Sequence, residues 1–179
     1  MDWGTLVATV SGAVIAISGT VMADALRNRH DKDRTVEARR RTVYNEFIAA
    51  AGTCHARLRT LAQSPPDEPD PRALDTATRA ALDEAEIYDA RERLFIEAST
   101  TVAGAGQAMF ERLRALRQTV ATGAAHDSRA FHDAYHPYIG AVWHYRAAVR
   151  EELDGRALVP ADFGWSDWDG TDRCTLCAP

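Results

Sequence analysis

The residues best suited to chemistry lie near the C-terminus, where Cys174 and Cys177 form a CxxC pair. Inside a cell this spacing is typical of half a zinc site or of a dithiol redox pair. A structural zinc needs two further ligands, and His132 and His136, four residues apart, share one face of a helix. Two interpretations stay open. Either the chain folds back to complete a Cys2His2 zinc site, or two solvent-exposed thiols lie beside histidines at the core boundary.

A second motif, DWDGT at residues 167–171, matches the DxDGT letters of haloacid dehalogenase-type phosphatases. That chemistry requires a buried strand before the motif and a doubly wound sheet after it, and neither pattern is present. A calcium loop is excluded because its twelfth-position Glu is missing. Since the sequence also lacks a P-loop, a nucleophile elbow and HExxH, we expect no enzymatic activity and no cofactor apart from the candidate zinc.

Helices must position these residues, because apolar side chains recur at helical spacing from residue 27 onward. The first predicted helix covers residues 27–63 and ends at a proline-rich loop, which cannot be helical. The last covers residues 127–153 and carries both candidate histidines, with Gly155 as its C-terminal stop.

The middle of the chain predicts one long helix over residues 73–122, with or without a bend, and a break near residues 99–106 is the alternative. Its apolar spacing is closer to 3.5 than to 3.6 residues, which indicates helices wrapped around each other as in a coiled coil. No strand pattern is present. The predicted fold of residues 27–155 is therefore an all-α, antiparallel three-helix bundle.

Residues 3–26 form a segment of different character, uncharged from Trp3 to Ala23. About twenty such residues suffice for a helix to cross the hydrocarbon core of a bilayer. A cleaved signal peptide would begin with basic residues, whereas the first charge here is Asp2. The sequence predicts a transmembrane anchor that continues into the first bundle helix; a buried helix is the alternative.

The charges that flank this segment predict its orientation. Residues 27–41 contain seven basic residues and three acidic ones, and no Lys or Arg precedes the segment. Since basic flanks stay in the cytoplasm, we expect an inner-membrane protein with its N-terminus outside and its bundle in the cytoplasm. The membrane-proximal basic residues are suited to anionic lipid headgroups; they are Arg27, Arg29, Lys32 and Arg34.

Small residues repeat every four positions along the predicted anchor, a spacing that lets two helices approach closely in lipid. They are Gly4, Ala8, Gly12, Ala16 and Thr20. This spacing predicts a homo-oligomer, although small residues are also frequent by chance in an alanine-rich chain.

The tail, residues 156–179, interleaves acidic and aromatic residues and is too short to build a core of its own. Either it docks its aromatic side chains on the bundle, or it is a free segment that binds a protein partner.

Composition limits the possible functions. The chain has 179 residues and a net charge of −5, with a mean hydropathy of −0.32. These values exclude a polytopic membrane protein, and three cysteines exclude a disulfide scaffold. The acidic balance excludes a basic nucleic-acid binder.

Several patterns together resemble a group of uncharacterised actinobacterial membrane-anchored helical proteins. They are the Gly/Ala-rich span after Trp3, LRNR at 26–29, RRTVYNEF at 40–47 and YRAAVREEL at 145–153. The resemblance covers residues 3–153, implies an anchored helical fold and implies no activity; the CTLC tail is not part of it.

Three functional hypotheses follow. The first is a single-pass membrane scaffold or adaptor that self-associates and presents its bundle to a partner. The second is a metal-binding or redox module built on the CxxC pair. The third is a membrane-permeabilising effector of a defence or lysis system.

Overall fold

The computed structural model describes residues 3–63 and 70–177, and for residues 3–26, 28 and 30–33 it describes the backbone. The predicted all-α class is confirmed, since the described residues contain five α-helices, two short 3-10 turns and no strand. The helices are α1 (Trp3–Gln63), α2 (Pro71–Asp83), α3 (Ile87–Glu97), α4 (Thr100–Ala121) and α5 (Arg129–Asp154). The 3-10 turns are Pro160–Phe163 and Thr171–Arg173.

Contacts divide the chain into two units, residues 1–39 and residues 40–179. In the first unit, Arg27, Arg29 and Arg34 are exposed. Where side chains are described, no helix combines the length and apolar character needed to cross a bilayer. The predicted anchor, residues 3–26, lies outside that part of the chain, and so does Lys32. The small residues of the four-residue repeat belong to the anchor and therefore also lie outside it; they are Gly4, Ala8, Gly12, Ala16 and Thr20.

The prediction of one helix over residues 73–122 is wrong, because the chain breaks twice there. The first break follows α2, where Glu86 has a left-handed backbone with φ of 51°. The second precedes α4, where Ala98 is extended and the Ser99 hydroxyl accepts the Val102 N–H at 3.3 Å, an N-cap arrangement. An N-cap that begins a new helix allows the chain to turn back, which one continuous helix cannot do.

In the second unit, α1 and α5 pack against each other as an antiparallel pair. The hydroxyl of Tyr138 donates to the carbonyl of Ala51 at 3.2 Å. Seven residues further along α5, the hydroxyl of Tyr145 donates to the carbonyl of Tyr44 at 3.2 Å. Residue numbers rise on one helix as they fall on the other, so the two helices run in opposite directions.

The α2–α3 segment also runs antiparallel to α1. Arg93 pairs with Glu46 at 3.1 Å, and Arg40 donates to the carbonyl of Glu97 at 3.0 Å. The numbering again rises on one segment and falls on the other.

The α4 helix turns back along α2 and α3. Arg91 of α3 donates to Gln107 at 3.0 Å, while Asp75 of α2 pairs with Arg117 at 2.8 Å. The second unit is therefore an up-down-up-down bundle of four antiparallel helical segments, called layers below. They are α1, the α2–α3 segment, α4 and α5. This corrects the predicted three-helix bundle, because the reversal at Ser99 adds a layer.

One continuous core runs between the four layers. Its large buried members come from every layer and include Phe47, Leu58, Ile87, Leu94, Met109, Leu113, Leu116, Phe131 and Tyr145. Gly106 marks the closest approach, since a Cβ there would meet Leu94 Cδ2 and would lie 3.2 Å from Phe47 Cε1. Tyr145 Cε2 would lie 3.5 Å away, so the absent side chain of Gly106 allows all four layers to meet.

Candidate metal centre

The α5 helix provides a platform for the tail. Ser128 begins the helix by accepting the Phe131 N–H at 3.2 Å, and Gly155 ends it with φ of 63°. Along one face, at helical spacing, stand His132, His136, Gly140 and Trp143. The tail lies on this face.

The two tail cysteines stand on a tight turn that follows the Thr171–Arg173 3-10 turn. The N–H of Cys177 donates to the carbonyl of Cys174 at 3.2 Å, which closes the turn. The backbone N–H groups of Leu176 and Cys177 also lower the pKa of the Cys174 thiol. Amide donors aimed at a sulfur stabilise its thiolate, the form that binds metal.

The tail brings both cysteines to both histidines. One ligand atom from each of His132, His136, Cys174 and Cys177 lies within 4.8 Å of all the others. Cys174 Sγ is 3.2 Å from His132 Nδ1, and His132 Nδ1 is 3.5 Å from His136 Nε2. Ligand atoms around a tetrahedral zinc, with Zn–N of about 2.0–2.1 Å and Zn–S of about 2.3 Å, are separated by about 3.4–3.8 Å. The separations of 3.2 Å and 3.5 Å are close to what zinc requires, and the other pairs of ligand atoms lie within 4.8 Å.

A backbone contact orients one of the imidazole rings. His136 Nδ1 lies 2.9 Å from the carbonyl oxygen of Asp169. Because a carbonyl only accepts, the proton sits on Nδ1 and leaves the Nε2 lone pair directed at the cluster. Ligating histidines are commonly held by such an outer hydrogen bond. His132 faces the cluster through Nδ1, and its Nε2 is buried with no hydrogen-bond partner among the described residues.

The two thiols have opposite pKa shifts. Burial raises the pKa of Cys174, but the Leu176 N–H, His136 and the neighbouring Cys177 outweigh it and lower that pKa to about 6. Burial, the hydrogen bond to Cys174 and the charge of Cys174 raise the pKa of Cys177. The pair therefore holds one thiolate readily at neutral pH, and zinc would displace the proton of the second.

An aromatic cluster holds the tail beside the metal centre. The rings of Trp143 and Trp168 stack with centroids 4.8 Å apart and planes 3° apart. Trp165 meets Trp143 edge-on at 5.0 Å, and the Arg146 guanidinium lies 4.7 Å from the centre of the Trp143 ring. Trp168 is buried. Of the two interpretations of the tail, the structure has it docked on the bundle.

The DWDGT motif forms the turn between the aromatic cluster and the cysteines. Asp169 accepts the N–H of Thr171 at 2.9 Å, and Gly170 has φ of 68°. Gly140 gives this turn room, because a Cβ there would lie 3.4 Å from that of Asp169. The aspartates of the motif thus shape a turn on α5.

Sequence reasoning named all four clustered residues, but it did not predict what holds them. The stack of Trp143 on Trp168 and the contact of Asp169 with His136 were missed. A usable signal was present, since Gly140 and Trp143 continue the face that His132 and His136 begin. His144, on the same helix, lies outside the cluster, where its Nδ1 is 2.9 Å from the carbonyl oxygen of Gly140.

Comparison with known protein families, curated proteins and solved structures gives no match to this chain. The resemblance to actinobacterial membrane-anchored proteins therefore stays a prediction.

Proposed function

We propose that this protein is a non-enzymatic helical adaptor whose tail is fixed to the bundle by one zinc ion. The observation that carries this proposal is the convergence of two sulfur and two nitrogen ligand atoms within 4.8 Å. Tetrahedral sites with this mixed donor set favour zinc over calcium or magnesium, which prefer oxygen.

The number of protein ligands supports a structural role for the metal. Catalytic zinc keeps one coordination position open for water or substrate, whereas structural zinc is closed by four protein ligands. His132, His136, Cys174 and Cys177 fill all four positions. Two thiolates also neutralise the charge of Zn²⁺, so the closed site needs no further anion.

Metal analysis of the purified full chain tests the proposal. We expect one zinc per chain, and we expect His136→Ala to lower zinc affinity by at least about 100-fold, since even outer partners of ligands contribute 10–100-fold. His144→Ala, on the same helix but outside the cluster, should keep full zinc content. A wild-type chain that binds no zinc would contradict the proposal.

We also propose that residues 3–26 anchor this adaptor in the inner membrane, with the bundle in the cytoplasm. Support comes from the uncharged segment and from the exposed Arg27, Arg29 and Arg34 that follow it. The full chain should resist alkaline extraction from membranes, and a C-terminal reporter should be active on the cytoplasmic side. Extraction into the aqueous phase would contradict the anchor.

Self-association belongs to the same proposal. The four-residue repeat that contains Gly12 predicts close helix contact in lipid. Gly12→Ile should weaken a homo-oligomer in a membrane association assay, whereas Ala13→Ile, next to it and off the repeat, should not. Equal association of both variants would remove the repeat from the proposal.

A further inference from the structure

We infer that oxidation of Cys174 and Cys177 to a disulfide releases zinc and the tail together, and so uncovers the α5 face that carries Trp143. The inference rests on the proposed zinc site and concerns how that site is regulated.

Besides the metal centre, the tail is held mainly by the aromatic cluster around Trp143. Between residues 156 and 177 only Trp168 is buried. A segment that buries so little apolar surface needs a cross-link or a metal to stay ordered. Both ligands that the tail contributes are cysteines. Its share of the proposed site therefore consists entirely of groups that an oxidant can remove.

Access and spacing favour a disulfide within the tail. Cys174 and Cys177 are both free thiols and both partly exposed. They stand on one closed turn with their sulfur atoms inside the 4.8 Å cluster. The third thiol, Cys54, is fully buried in the core and is no competitor. A bond between the tail sulfurs requires rearrangement of one turn, while the bundle stays as it is.

The chemistry balances with a peroxide as oxidant. The two zinc-bound thiolates lose two electrons and form one S–S bond. The O–O bond of hydrogen peroxide accepts those electrons and, with two protons, gives two water molecules. Zn²⁺ leaves because a disulfide sulfur has no negative charge with which to bind it. A dithiol reductant reverses the step.

Loss of zinc from the cysteines would also weaken the aromatic cluster, because adjacent tail residues connect the two. Asp169 bonds a candidate zinc ligand, since its carbonyl oxygen is 2.9 Å from His136 Nδ1. The preceding residue, Trp168, stacks on Trp143. Loss of zinc frees the cysteine turn and leaves the tail held by the Asp169 contact and by the stack of Trp168 on Trp143, which bury too little apolar surface to keep the tail closed. An aromatic surface on α5 then becomes accessible.

The test uses the zinc-loaded full chain and hydrogen peroxide. Zinc release is followed with a chromogenic chelator, free thiols by titration, and tail release by trypsin cleavage after Arg173. We expect one zinc and two thiols to be lost together, with cleavage at Arg173 accelerated at least about tenfold as the tail opens. Reductant and added zinc should restore protection. Thiols lost with zinc retained, or zinc lost with Arg173 still protected, would overturn the inference.

Two variants isolate the chemistry. Cys54→Ala removes the third thiol and should respond as the wild type does. Cys177→His changes a proposed ligand, so its zinc content is measured first without peroxide. Because its tail has one thiol and forms no internal disulfide, peroxide should release a smaller fraction of that zinc than in the wild type; release of an equal fraction would overturn the disulfide step.

The two proposals fail in different ways. An untreated chain without zinc defeats the proposed function. If the tail of a zinc-loaded chain stays protected from trypsin in peroxide but is cleaved when a chelator is added, this inference alone is wrong.

Discussion

The bundle and the tail reach an ordered structure by different means. Residues 40–63 and 70–154 surround one continuous apolar core to which every layer contributes. Residues 156–177 bury Trp168 alone and place two cysteines beside two histidines. Apolar burial stabilises a segment in proportion to the area removed from water, which the bundle has and the tail lacks. The comparison teaches that the tail depends on specific contacts, and the following predictions test that difference.

Loss of zinc should have the largest effect, and it should be confined to the tail. Structural zinc contributes about 10 kcal/mol or more of apparent binding free energy. We expect Cys177→Ala to abolish hydrogen-exchange protection in residues 160–177 while α4 and α5 keep theirs. Thr175→Ala, an exposed neighbour, is the control. Simultaneous loss of protection in the bundle would show that the two regions are not separate.

Phe47→Ala should damage the bundle and spare the metal. The Phe47 ring is fully buried and meets Tyr145 edge-on at 5.4 Å. We expect the free energy of unfolding to fall by about 3–5 kcal/mol, as measured by denaturant titration followed by circular dichroism. Val36→Ala, at a half-exposed position, should change it little. Zinc content of the folded variant should stay at the wild-type value.

Two glycines of α4 should respond in opposite directions to alanine. Gly106→Ala places a methyl group against Leu94 and Phe47, and we expect a loss of about 1–3 kcal/mol from overpacking. A Cβ at Gly104 would meet no atom within 4 Å, so Gly104→Ala should gain about 0.5–1 kcal/mol from helix propensity. Thermal unfolding of both variants checks this, and equal shifts would contradict the close approach at Gly106.

Alkaline pH should weaken the bundle, and Tyr44 should contribute part of that loss. Burial, the hydrogen bond to Glu152 and the charge of Glu152 raise the pKa of Tyr44 from 10.0 to about 12. A pKa raised on folding gives stability that is complete below pH 10 and is lost as pH rises toward 12. Tyr44→Phe should therefore flatten the decline in unfolding free energy across this range. An unchanged slope would show that Tyr44 does not titrate with folding.

The sequence predicted the helical class and the end of α1 at Gln63 because both depend on local patterns. Apolar periodicity determines a helix, and prolines after residue 63 end one. A break near residues 99–106 was one of the two predicted alternatives, but a reversal of the chain at Ser99 was not predicted. Its cap is equally compatible with a bend, and only the apolar surfaces of the neighbouring layers favour full reversal. The αL residue Glu86 carries no sequence signal, since its conformation follows from the packing of α2 and α3.

The candidate site divides in the same way. The spacing of His132 and His136, and that of Cys174 and Cys177, already defines two half-sites. Joining them requires the chain to return across α5 over some forty residues, which no local pattern encodes.

The sequence by itself determined the helical class, which residues are apolar and which donor atoms are available, because those properties depend on residue type and near-neighbour spacing. Only the tertiary structure decided that the chain reverses at Ser99 and that the tail docks on α5. Long-range pairing is set by the complementarity of surfaces, here a stack of Trp168 on Trp143 and a carbonyl of Asp169 on His136. Two half-sites became one candidate metal centre through those contacts.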